Sequence, residues 1–363
     1  MASPLTAVWS DTCRQHDPQA EIWVGVRTPA AEVPQRVPVI RDALERYGAR
    51  LVAATAHGDQ RLTAVHDPAL LAHLREVHRL WQEAGLPVEP GQDRVVPYVF
   101  PTAAMLSGMP ARVPTGVHGR AGLWCYDTMT LVGPGTWPAV RAAADAALTA
   151  VDLLGPDAPV VYALSRPPGH HATPAGYGGS CYLNNAAIAA QALRDRGYDR
   201  VAVIDVDAHH GNGTQAVFWE RPDVFYGSVH VDPGAGWFPH YVGHADERGA
   251  GAGAGANRNL PLPPGAGDRE WLGGVARLCE EVQGHGAQAL VVSLGVDAAA
   301  DDPESPLKVT AEGYAGTGRL LSDLGLPTVV VQEGGYHLPS LGPLVVEVLD
   351  ALVQGRSRQP GTD

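Results

Sequence analysis

Lysine is nearly missing from this chain: Lys308 is the only one. Arginine supplies the rest of the 26 basic residues, against 39 acidic ones, and the formal net charge is −13. No basic block occurs. Sequence-independent nucleic-acid binding needs a positive footprint, so that class is set aside. With so many Ala and Gly, the arginine bias reads as genome composition rather than function. Cysteine is scarce too. Cys13, Cys125, Cys181 and Cys279 are scattered with no C-x-x-C. That excludes a disulfide framework and fits a reducing compartment. No apolar run reaches the length of a bilayer span. Met1 to Asp11 lacks the basic and apolar stretches of a signal peptide. The expectation is a soluble, cytoplasmic protein with neither a nucleic-acid nor a membrane partner.

The 363 residues, 45% hydrophobic, suffice for one large α/β domain or two small ones. Residues 1–34 read as Pro-punctuated loop. A helix runs from about Pro34 to Tyr47, with Val37, Ile40 and Leu44 at helical spacing. A strand follows at Arg50 to Thr55, then a helix capped by Asp67-Pro68 and ending near Leu80. Residues 85–122 carry six prolines and little periodicity. Such a long irregular segment in a compact chain is a lid, a rim or an oligomer contact, or else mobile. An Ala-rich helix spans Gly135 to Leu154.

From Pro159 strands and helices alternate. Strands are expected at 160–164, 201–204, 224–231, 289–294 and 327–332. Helices are expected at 184–196, 269–283, 310–324 and 341–352. A Gly-rich loop covers 243–255, and a loose tail begins at Val353. This alternation implies one domain over 1–353 with a central, mostly parallel sheet covered by helices on both faces.

The densest chemistry is V-A-V-I-D-V-D-A-H-H-G-N-G-T-Q, Val201 to Gln215. The β-branched run gives way to Asp205, Asp207, His209 and His210. If the strand persists, Asp205, Asp207 and His209 share one face. In open parallel sheets, ligands bind outside the carboxyl ends of the strands. Two carboxylates and an imidazole there suit a divalent metal. The plainer alternative is acidic residues capping the next helix, although clustered acids without a cation repel. Four other strand ends carry reactive types: Arg166-Pro-Pro-Gly-His170-His171; Asp232-Pro with Trp237-Phe238; Gly295-Val-Asp297; and Glu333-Gly-Gly-Tyr336. Singly, a His pair is a solvated loop, Asp297 a helix cap and Gly-Gly-Tyr a turn. Five such ends on one sheet are harder to dismiss.

These motifs resemble the zinc-dependent histone deacetylase superfamily, which shares its α/β fold with arginase. They are R-P-P-G-H-H-A (Arg166 to Ala172), C-Y-L-N-N (Cys181 to Asn185), D-V-D-A-H-H-G-N-G-T (Asp205 to Thr214), S-L-G-V-D (Ser293 to Asp297) and E-G-G-Y (Glu333 to Tyr336). P-A-A-E-V-P-Q-R (Pro29 to Arg36), P-G-T-W (Pro134 to Trp137) and Asn at 212 lean toward bacterial acetylpolyamine amidohydrolases and class II-like deacetylases.

The resemblance implies a single domain with an eight-stranded sheet, and zinc ligands Asp207, His209 and Asp297. Asp and His ligands suit ferrous iron as well. It implies His171 as general base facing Asn212, and His170 paired with Asp205 and held as a cation. Tyr336 is then the oxyanion donor. It further implies potassium on main-chain carbonyls of Asp205, Asp207 and His209 with Ser228 and Val229, and an outer site at Phe218, Arg221 and Val224.

For the substrate, Gly179, Ser180, Trp237, Phe238 and Gly335 are expected to line the acyl tunnel. Ser180 stands where many relatives have an aromatic. His118 falls where the polyamine enzymes carry an acid, and Glu21, near Trp23, is a further reader of a cationic tail. The expected function is removal of an acetyl or similar acyl group from a small amine, by a homodimer whose Pro-rich segment narrows the mouth. Acetyl-lysine protein deacetylation is the runner-up. A non-catalytic acyl-amine binder and arginase-like manganese chemistry stand further back.

Overall fold

The computed structural model describes residues 5–85 and 94–357. The expected Pro-rich segment therefore lies partly outside the described residues, at 86–93, as do the first residues and those after Ser357.

Among the described residues ten strands form, in chain order: β1 (Thr6–Trp9), β2 (Ala20–Trp23), β3 (Val26–Pro29), β4 (Arg50–Ala53), β5 (Val160–Ala163), β6 (Val201–Asp205), β7 (Val224–Val231), β8 (Asn257–Leu262), β9 (Ala289–Leu294) and β10 (Thr328–Gln332). Eight make one sheet in the order β4-β1-β5-β10-β9-β6-β7-β8. Every pairing in it is parallel. The remaining two, β2 and β3, form a separate antiparallel hairpin.

The strand sequences explain the burial. Val201, Val203, Val291, Val329 and Val331 point to one core, covered by helices Pro68–Glu83, Thr136–Leu153 and Asn185–Asp195. Ala202, Ile204, Leu290, Val292 and Val330 point to the other, under Arg36–Tyr47, Asp268–His285, Ala311–Ser322 and Leu338–Ser357. Both faces of these inner strands are apolar because both are covered, as parallel sheets require. Each fully buried valine or leucine contributes roughly 1.5–3 kcal/mol.

Several expectations need correction. The N-terminal loop contains β1, which joins the central sheet, and the β2–β3 hairpin. Beyond the Gly-rich loop lies β8, whose Pro261 is tolerated because the strand is at the sheet edge. Among the described residues of the 85–122 segment are one short helix, Ala103–Leu106, and the start of another, Val117–Trp124. The closing helix reaches Ser357, past the expected tail at Val353, and Arg356 donates to the Pro159 carbonyl at 2.8 Å. That helix is apolar and long enough to span a bilayer. Its Leu341, Val345, Val348 and Leu349 are buried against the sheet, which accounts for the apolarity.

Candidate active site

At the carboxyl end of β6 the strand stops at Asp205 rather than persisting. Tight turns take over. Asp205 accepts from the Asp207 amide at 3.2 Å, and Asp207 accepts from the His209 amide at 2.9 Å. These turns, not strand pleating, aim Asp207 and His209 together. From β9 next door comes Asp297. The donor atoms of Asp207, His209 and Asp297 all lie within 4.8 Å of one another. His209 Nδ1 is 3.3 Å from Asp207 Oδ1 and 3.2 Å from Asp297 Oδ2.

The remaining carboxylate valences are met by main chain: Gly334 N–H to Asp207 and Ala208 N–H to Asp297, each at 2.8 Å. Burial and the neighbouring Asp207 push the Asp297 carboxyl up to about 7. Two buried acids this close need positive charge between them. A cation bound by one imidazole nitrogen and two carboxylates supplies it, and the donor set fits zinc.

The loop after β5 brings the His pair alongside, ring centroids 4.0 Å apart. His170 Nδ1 lies 3.1 Å from Asp205 Oδ2, and His171 Nδ1 lies 2.7 Å from Asn212 Oδ1. Their surroundings divide them. Burial lowers His170, but Asp207 and Asp205 more than offset it and hold the imidazole up to about 10. Burial, with His170 and His209 adding to it, drives His171 well below the ordinary value. The surroundings thus favour the cation at His170 and the neutral ring at His171.

Tyr336 follows β10 on Glu333-Gly334-Gly335. Gly335 sits at φ +121°, which disfavours any side chain, and a Cβ on Gly334 would lie 2.3 Å from Asp297 Oδ2. Asp302 accepts from the Tyr336 amide at 2.7 Å. Arg36 caps the turn, donating to the Gly335 carbonyl at 2.7 Å and to the Glu333 carbonyl, with its guanidinium 5.0 Å from the Tyr336 ring centroid. Burial pushes the Tyr336 phenol well above its usual range, so the O–H stays a donor. Arg36 is itself held by Glu32 at 2.9 Å, and Glu32 grips Arg166 with both oxygens at 2.7 and 2.8 Å.

One cleft joins these groups. His171, His209 and Tyr336 line it together with Gly179, Ser180, Phe238 and Glu21. Phe238 stands edge-on to His171 at 4.7 Å. Asp127 fixes the Gly179–Ser180 wall by accepting from the Gly179 amide at 2.6 Å.

Four expected residues fall elsewhere, Gly335 among them: it shapes the Tyr336 turn and is not on the cleft wall. Trp237 packs on the core. His118 is exposed, on a helix that stacks it against Tyr98. Trp23 belongs to an adjoining outer pocket with Tyr126 and Tyr241. Among the residues named for potassium, Ser228 shares a hydrogen bond with His230 at 2.8 Å, and Arg221 is paired with Asp223.

The structure adds residues that the sequence did not single out. Glu304 and Met129 line the cleft. Tyr126 reaches under the His pair. His170, Cys181 and Glu333 form a second cluster with donors within 4.8 Å. There Glu333 accepts from the Gly169 and His170 amides at 2.6 and 3.1 Å, and burial keeps the Cys181 thiol protonated, so the cluster serves structure.

The same arrangement of chain occurs in known proteins. Acetylpolyamine amidohydrolase from Mycoplana ramosa is 37% identical over 346 residues, 95% of this chain and 98% of that protein. A crystal structure of acetylpolyamine aminohydrolase from Burkholderia pseudomallei superposes with a TM-score of 0.90 at 38% identity, covering 97% of this chain and 99% of that one. A histone deacetylase-like amidohydrolase of Pseudomonas aeruginosa matches over less, 37% across 64% of this chain and 63% of that protein. The histone deacetylase domain matches residues 30–352, and the chain belongs to that family.

Proposed function

We propose that this chain is a zinc-dependent amidohydrolase that removes an acetyl or similar acyl group from a small amine of the acetylpolyamine kind. The observation that carries this is the composition of one cleft. It sets His209 of the Asp207–His209–Asp297 donor set, His171 of the His pair and Tyr336 beside Glu21 and Glu304, while the third carboxylate on its wall, Glu32, is taken up by Arg36 and Arg166. Burial pushes Glu21 up to about 7 and also raises Glu304, and no Lys or Arg is among the groups that shift either one. Carboxylates left unbalanced beside an amide-cleaving site suit a substrate bearing a distal ammonium.

Zinc held by Asp207, His209 and Asp297 supplies, when bound, Lewis acidity toward the amide carbonyl and a lowered pKa for water. The chain's own residues do the rest. His171, with Nδ1 directed at Asn212, takes the proton of the attacking water at Nε2. As the carbonyl oxygen gains charge, the Tyr336 O–H donates to it, and the cationic His170 stabilises the same charge from the Asp205 side. His171 then returns its proton to the departing amine nitrogen. Carboxylate and amine leave.

Large apolar side chains are exposed on the hairpin (Trp23 60%, Val24 79%), on the Pro-rich segment (Tyr98 74%, Met109 63%) and at Tyr241 (89%). Such surface supports a homodimer contact near the mouth. Potassium at the main-chain carbonyls around Asp205 to His209, Ser228 and Val229, and at Phe218, Arg221 and Val224, rests on family likeness. Four free, buried cysteines agree with a reducing cytoplasm.

The test is kcat/KM of the zinc-loaded enzyme on acetylputrescine, acetylspermidine and an acetyl-lysine peptide. A preference of tenfold or more for the small amines is expected. Preference for the peptide would replace this reading with protein deacetylation.

A further inference from the structure

His171 faces a carboxamide, where its neighbour His170 faces a carboxylate. The difference matters because a carboxamide has two unlike sides of nearly equal shape. With Asn212 Oδ1 toward His171, the ring must carry its proton on Nδ1, leaving the Nε2 lone pair for the cleft. With Nδ2 there instead, Nδ1 must accept, the proton sits on Nε2, and the ring cannot take one. Something has to choose.

Tyr126 stands where the choice is made. Its hydroxyl donates to the main-chain carbonyl of His171 at 2.8 Å. It also lies 3.4 Å from Asn212 Nδ2. A phenol has one proton. A carbonyl can only accept, and it is the nearer partner, so the proton is committed to His171 O. Toward Asn212 the Tyr126 oxygen offers only lone pairs. The carboxamide must answer with its NH2, which turns Oδ1 to His171 Nδ1 at 2.7 Å. The ring is held in place for this task. A Cβ on Gly178 would lie 2.2 Å from Tyr126 Cε2, so only glycine there leaves room for the phenol. Phe238 lies nearly parallel to it, 12° between planes.

We propose that Tyr126 is a positioning residue that fixes the Nδ1–H tautomer of His171 by orienting the Asn212 carboxamide. This rests on His171 as the general base. The cleft-facing lone pair is thus set from the far side of the dyad.

The test is a double-mutant cycle together with a direct reading of the tautomer. Tyr126→Phe keeps the ring that fills the Gly178 space. It removes the single hydroxyl, a change on the scale of one net hydrogen bond, so kcat is expected to fall about fivefold with KM little changed. In Asn212→Asp both side-chain oxygens accept, so no orientation remains to be chosen. Adding Tyr126→Phe to that background is expected to leave kcat unchanged. An equal loss in both backgrounds would mean that the hydroxyl merely holds the His171 loop, and would overturn the proposal.

Nitrogen-15 shifts of His171 in the zinc-loaded wild type are expected to show Nδ1 protonated, with an Nε2–H population appearing in Tyr126→Phe. An Nε2–H wild type, or an unchanged tautomer in the variant, would also overturn it. Full activity in His171→Ala would sink the base assignment instead, while the nitrogen-15 result still decides the role of Tyr126.

Discussion

Arg36 reaches from the first long helix to the last strand end and donates from Nε to the carbonyl of Gly335, 2.7 Å away. That bond aims the residue after it, Tyr336. The guanidinium is buried and shares Glu32 with a second buried guanidinium, Arg166.

Glu32→Gln tests this network. Two cations would then face one neutral amide in a dry interior. Removing one partner of a buried ion pair costs about 3–5 kcal/mol. The urea midpoint should fall accordingly, and kcat should fall with it as the Tyr336 turn loosens. An unchanged midpoint would show that the charges compensate elsewhere.

Tyr336→Phe removes the oxyanion donor and nothing from the donor set. A loss of roughly a hundredfold in kcat is expected from other donors of this kind. Zinc content by mass spectrometry should match wild type. Full activity with zinc bound would refute the role.

Gly334→Ala places a methyl against the acids, since a Cβ would lie 2.3 Å from Asp297 Oδ2 and 2.6 Å from Asp207 Oδ2. Zinc stoichiometry should drop well below one per chain and activity with it. Normal stoichiometry would show that the turn can move aside.

Glu21→Gln and Glu304→Gln should each raise KM for acetylputrescine, by about tenfold for a lost contact of about 1.4 kcal/mol. An uncharged N-acetylalkylamine of equal length should be unaffected. Equal effects on both substrates would mean the carboxylates only shape the cleft.

Glu21 also gives a pH signature. Its carboxyl titrates near 7, so it is neutral below and anionic above. The acetylputrescine ammonium stays protonated throughout this range. KM for that substrate should therefore fall between pH 6 and 8 relative to the uncharged amine. The slope should vanish in Glu21→Gln.

The metal donors, the His pair and Tyr336 were legible because each lies within a few residues of a strand end, and strand ends of a parallel sheet meet on one side. Glu304, on the cleft wall, and Tyr126, behind His171, were not, because they arrive on loops without periodicity. Trp237 was misplaced because the chain turns at Phe238, so that Phe238 lines the cleft while Trp237 packs on the core. His118 was placed by likeness to the polyamine enzymes; in this chain it opens a helix and stacks on Tyr98, away from the cleft wall. The edge strand β8 hid behind the Gly-rich loop, with two asparagines and a proline in six residues.

The strand order has a consequence for the growing polypeptide. The tenth strand is the last one made, yet it lies inside the sheet, between β5 and β9. Before it arrives, β9 and β6 can pair and set Asp297 beside Asp207 and His209. Between β5, whose following loop carries the His pair, and β9 the sheet has no strand until β10 fills the gap, bringing Tyr336. A ribosome-bound chain can thus own a metal seat while its sheet is still in two pieces, and the final strand is the keystone that joins them.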